Sequence, residues 1–260
     1  MLNILLTAML FIMPFGMIKN GLHRQGLHVG LWVSLFFLGR LHASLSFLVF
    51  AIALLDYRFT GQGIPKSSSE MIIKRTHLPQ FIVFLSAMVI FCALGKVYPA
   101  YGTYIQLNRS VLEIANLTGF ISSLAGPVFF GRLSDKKGPF PAMITLILVA
   151  ASSIGITAYS VVSPVWFVVG TGLMWLSISG TFVLIPILIS LYFGRAQLAK
   201  YAPGLIGMMT ALWGFIYYAF ETDSQQVHHS ATFLTFAVYL VLIAALFSFL
   251  AWKNRLVLVK

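Results

Sequence analysis

Residues 131–141 read Gly-Arg-Leu-Ser-Asp-Lys-Lys-Gly-Pro-Phe-Pro, a charged segment bounded by Gly131 and Gly138 and flanked by long apolar runs. The chain around it is 59% hydrophobic and 9% charged, so it has few charges to place. Four of them, Arg132, Asp135, Lys136 and Lys137, stand in this one connection. Charges are costly in hydrocarbon and long apolar runs are costly in water. The pattern therefore predicts a tight loop at a membrane face, joining two helices that cross the membrane.

Working outward, the whole chain has the same character. Its mean hydropathy is +0.93 over 260 residues. Apolar runs reach the length of about 18–20 residues that a membrane span needs. Backbone polar groups in lipid must be paired internally, so only helices or closed barrels span. These runs are continuous and do not alternate with period two, which selects helices. The fold class expected is all-α, a polytopic membrane helix bundle. A formal charge of +11 raises the question of nucleic acid. The basic residues lie in short connections between apolar runs, however, with no soluble basic face for a phosphate backbone to dock on. Cys92 is the single cysteine, so neither an intrachain disulfide nor a cysteine-based metal site is expected. The N-terminus, Met-Leu-Asn-Ile-Leu-Leu, lacks the basic region of a signal peptide. Residues 2–18 read instead as a short span.

Runs of spanning length fall at 2–18, 28–55, 79–100, 111–133, 141–160, 164–193, 201–220 and 231–252, giving about eight transmembrane helices. The connections at 56–78, 131–140 and 194–200 and the tail at 253–260 carry most of the Lys and Arg. The alternate connections hold Lys19, Arg24, Lys96 and Arg109. Basic excess marks the cytoplasmic side, so both termini are expected there. By position, residues 1–55 supply two helices, 56–78 a cytoplasmic linker rich in Gly, Pro and Ser, and 79–252 a block of six helices.

The segment at 131–141 resembles the signature loop of the major facilitator superfamily, which joins the second and third helices of each six-helix half on the cytoplasmic side. Gly131, Asp135, Lys136, Lys137 and Gly138 match that pattern, and Pro139-Phe140-Pro141 depart from it. A second, weaker resemblance runs from Leu191-Tyr192-Phe193-Gly194-Arg195 through Tyr201 to Gly204-Leu205-Ile206-Gly207, similar to a junction in monocarboxylate and oxalate–formate carriers. The resemblance implies a complete C-terminal half at 79–252, preceded by the last two helices of an N-terminal half. The fold implied is major-facilitator-like and truncated. It also implies a gating role for Gly131, Arg132, Asp135, Lys136, Lys137, Gly138 and Arg195. In that scheme Asp135 takes hydrogen bonds from Arg195 and from a helix N-terminus, the one beginning near Met1. The bland alternative is a positive-inside loop with an incidental aspartate.

Other polar residues within or beside the runs are candidates for substrate contact. Arg40 and His42 lie near the middle of the 28–55 run, two residues apart and hence on different helix faces. They bind an anion or move a proton, or else pair structurally. Lys96 and Tyr101 end one span, and Glu113 and Asn116 begin the next. Glu113 pairs with Lys96 or Arg109, or carries a coupling proton. The alternative for this group is a snorkelling lysine and an interfacial aromatic belt. Trp175, Trp213 and Tyr217 are candidate cavity walls, or packing. His228 and His229 with Asp223 do not make a metal set.

The function expected is secondary active transport of a small organic solute or anion, by alternating access and coupled to protons or an exchanged anion. The location expected is a plasma or bacterial inner membrane, with membrane lipid as a partner. No nucleotide-binding motif is present, and no cofactor, metal or catalytic residue is expected. Self-association or further N-terminal helices would complete the bundle. Two rivals stand beside this reading. One is a transport-inactive remnant or partner-binding membrane protein; the other is an integral-membrane lipid-modifying enzyme, for which the six acidic residues are scattered.

Overall fold

The computed structural model describes residues 25–37, 48–49, 51–52, 98 and 101–193, and every regular element among them is helical. Helix α1 is Gln25–Phe37, α2 is Arg109–Lys137, α3 is Pro139–Ala158 and α4 is Pro164–Phe193. A short 3-10 turn, Tyr159–Val161, links α3 to α4. Three stretches are long and apolar enough to cross a membrane: Arg109–Lys137, Pro139–Val161 and Pro164–Leu188. They correspond to the runs at 111–133, 141–160 and 164–193. At 1.5 Å per residue, α2 is roughly 43 Å long, more than a bilayer core of about 30 Å.

The charged segment departs from the expected loop. Helix α2 continues through Arg132, Asp135 and Lys136 to Lys137, and the connection to α3 is Gly138 alone. Nothing in Arg132–Lys137 breaks a helix, and the two terminal lysines favour the negative end of the helix dipole. Gly138 stops it with φ of 91°, a value that a side chain disfavours. Its amide closes α2 on the Ser134 carbonyl at 2.8 Å. Pro139 and Pro141 then open α3, where a missing N–H costs nothing.

Several hydroxyl groups inside the helices are satisfied within their own helix, while the buried Thr171 hydroxyl has no hydrogen-bond partner among the described residues. Thr118 donates to the Ile114 carbonyl, Ser153 to Ala150, Thr157 to Ser153 and Ser177 to Leu173. Such internal bonding lets polar side chains sit at membrane depth without water.

Helix α4 is the centre of the described bundle, buried along nearly its whole length from Gly170 to Leu188. Its small residues receive bulky neighbours. Gly172 meets Thr118, Trp175 meets Gly119, and Ser179 meets Gly126, so α2 and α4 run in the same direction. Gly170 meets Thr157 and Gly180 meets Leu146, so α3 runs opposite to both. Helix α1 lies antiparallel on α2, with Gly26 on Gly131, Gly30 on Pro127 and the Ser34 hydroxyl donating to the Leu124 carbonyl at 2.6 Å. Phe37, at the end of α1, meets Phe182 of α4 edge-on.

This packing corrects the side on which the start of α1 was expected. Gly26 lies at the Asp135 end of the bundle, whereas the sequence-based topology put the 19–27 connection at the opposite end. Gly102, by contrast, lies at that opposite end, between Leu112 and Phe167. The physical reason is that hydropathy registers the length of an apolar run and not the direction in which it is entered.

Candidate functional site

The site begins with an unmet need of α1. The first amides of a helix have no partner within it and carry the positive end of the helix dipole. Asp135, on the last turn of α2, supplies that partner. Its Oδ1 accepts from the Gly26 amide at 2.9 Å and its Oδ2 from the Leu27 amide at 2.8 Å. Both carboxylate oxygens are thus engaged by one helix N-terminus.

Glycine makes the approach possible. A Cβ at Gly26 would collide with the Gly131 carbonyl oxygen and with Asp135 Oδ1, and a Cβ at Gly131 would collide with the Gly26 carbonyl. The two backbones touch, and the carboxylate sits directly over the amides. Arg132, Lys136 and Lys137 stand near it in sequence and are exposed, as is Asp135 itself. The carboxylate contact is therefore open to water at its edge and can be broken and remade without unfolding α2.

The helix that Asp135 meets is α1, beginning at Gln25, and not one beginning near Met1. Sequence reading missed Gly26, Gly30 and Ser34 as well. Their spacing of four was the available signal, since small residues at that interval let helices approach closely. Arg195, Arg40, His42, Lys96, Trp213 and Tyr217 lie outside the described residues.

The far end of the bundle differs in character. Arg109, Glu113, Asn116, Phe120, Leu124, Pro127 and Gly131 follow one another at intervals of three or four, so they form one stripe of α2. Helix α1 covers the lower part, from Leu124 to Gly131. The upper part is open: Arg109, Glu113 and Asn116 are exposed. Arg109 donates to Glu113 across 3.0 Å. Tyr101 is buried at this end, and the Trp175 indole lies over Gly119 between α2 and α4.

Tyr98 is buried nearby, its hydroxyl 3.3 Å from Ser153 Oγ and 3.2 Å from Thr157 Oγ1. Ser153 and Thr157 direct their own protons to the Ala150 and Ser153 carbonyls. Thr157 Oγ1 also donates to the Tyr98 hydroxyl, and the Tyr98 and Ser153 hydroxyls share a hydrogen bond, so these contacts tie residue 98 to α3. Among the described residues no three His, Cys, Asp or Glu side chains group as metal ligands.

No protein-family model matches the chain, and no curated protein matches it. The helices themselves define the class: an integral membrane protein of helical bundle type, with at least the three span-length helices described.

Proposed function

We propose that the chain is a secondary transporter of the major facilitator type, or part of one, that moves a small organic solute or anion by alternating access. One observation carries this reading. An acidic side chain at the end of a membrane helix holds the N-terminus of another, antiparallel helix through two backbone amides. That contact is exposed, charged and small, so it stabilises one pose without fixing it permanently.

The asymmetry of the α2 stripe supports the same reading. It is closed by α1 at the Asp135 end and open around Glu113 and Asn116 at the other. Contact at one face with exposed polar residues at the opposite face corresponds, in this proposal, to one of the two poses that alternating access requires. In this proposal the face bearing Arg132, Lys136 and Lys137 is cytoplasmic. Coupling is to protons or to an exchanged anion, and Glu113, Asn116 and Trp175 are candidates for the solute path.

Uptake into proteoliposomes across a panel of labelled organic anions and neutral metabolites tests the proposal. Saturable uptake by the native chain, altered by Asp135→Asn, is the expected result. Uptake that Asp135→Asn leaves unchanged removes the latch from the mechanism. Absence of uptake across the panel, with the full chain folded in the vesicles, removes the transport reading.

A further inference from the structure

We infer that the turn between α3 and α4, residues 159–166, is seated in the headgroup layer of the leaflet opposite Asp135, with lipid as its partner. Five large side chains in this short turn stand open: Tyr159, Val161, Val162, Val165 and Trp166, with Val162 81% exposed. Turns that face water are built from Gly, Asn, Asp, Ser and Pro. This one contains Ser160, Ser163 and Pro164, but its open side chains are three valines, a tyrosine and a tryptophan, and no Asp, Glu, Lys, Arg or His occurs anywhere between Lys137 and Arg195.

Its backbone is prepared for a low-water setting. Val162 and Ser163 donate to the Tyr159 carbonyl at 2.9 and 3.3 Å, Trp166 donates to Ser163 at 3.1 Å, and the Ser160 hydroxyl donates to Thr157. Polar groups that are paired internally can lie against lipid.

Register fixes the depth. Helices α2 and α4 run in the same direction, and Phe167 and Leu112 both flank Gly102. The start of α4 is therefore level with Arg109 and Glu113, an exposed ion pair that belongs at the membrane–water boundary. The turn lies at that level and does not stand far above it. Tyr159 and Trp166 are the residue types that favour the boundary. The patch is also continuous with the exposed apolar flank of the bundle at Leu148 and Val169. The inference rests on the membrane-spanning helices and holds whether or not the chain moves a solute.

The single native cysteine makes the test direct. In a Cys92→Ser background, Val162→Cys is spin-labelled in phosphatidylcholine–phosphatidylglycerol vesicles, with the free label in buffer as the aqueous reference and a label from Ile121→Cys as the lipid-facing one. Collisions with oxygen and with a water-soluble nickel chelate are then compared. The expected ratio of oxygen to nickel accessibility at 162 lies several-fold above that of the free label and below that at 121. A ratio equal to that of the free label overturns the inference, because the turn is then in water. Exclusion of both reagents also overturns it, because protein, such as a second copy, then covers the turn. Should the cysteine-substituted chain fail to fold, Trp166→Phe in the native chain serves instead. It is expected to remove part of the tryptophan emission quenched by lipids brominated near the glycerol backbone, and an unchanged quenched fraction overturns the inference.

Discussion

Asp135 works because a carboxylate has two acceptor oxygens and no donor, which suits two adjacent amides. Asparagine has the same size but turns one of those oxygens into a donor, which then faces an N–H. Asp135→Asn is expected to lower stability by about 1 kcal/mol, the scale of a charge at a helix N-terminus. Unfolding in SDS–detergent mixtures measures this, and an unchanged midpoint would contradict the structure. Tyr98 makes a different kind of contact, buried and neutral. Its hydroxyl partners keep their own carbonyl bonds when it is removed. Tyr98→Phe is therefore expected to cost only about 1 kcal/mol, the net value of a hydrogen bond whose partners stay satisfied. A loss several times larger would mean that the hydroxyl network depends on the phenol.

At the scale of elements, the α1–α2 pair depends on the absence of side chains where the backbones cross. Gly131→Val places a Cβ into the Gly26 carbonyl, a collision with backbone that no rotamer relieves. Helix α1 must then move off α2, and both Asp135 hydrogen bonds go with it. The expected loss is at least about 1–3 kcal/mol. Gly155→Ala is the matched control, since a Cβ there meets nothing within 4 Å. Equal effects of the two substitutions in SDS unfolding would refute the contact. The elements themselves were largely legible. The run at 164–193 coincides with α4, and 141–160 differs from α3 by two residues at each end. The end of α2 was not legible in the same way. Four clustered charges suggested a loop, yet arginine and lysine are good helix formers, and only Gly138 interrupts the backbone.

For the whole molecule, the two ends of the bundle are chemically opposed. Lys137 ends α2 beside the basic cluster, and Asn108 begins it at the other end. In a Cys92→Ser background, Lys137→Cys and Asn108→Cys are expected to react with a membrane-impermeant maleimide from opposite sides of sealed vesicles. Labelling of both from one side would rule out α2 as a membrane span.

Hydropathy and charge are properties of the chain read one residue at a time. For that reason the sequence by itself determined that this is a helical membrane protein, roughly where α2, α3 and α4 lie, and that two of them meet at an elbow by Gly138, although the charges before it belong to α2. Which helix would meet that elbow was a matter of neighbours more than a hundred positions apart, Gly26 and Asp135. Only the tertiary structure decided it, because the backbone contact of Gly26 with Gly131 exists when two helix faces meet and in no local segment of the chain. The same holds for the direction of α1, which follows from packing against α2, while an apolar run is equally apolar from either end.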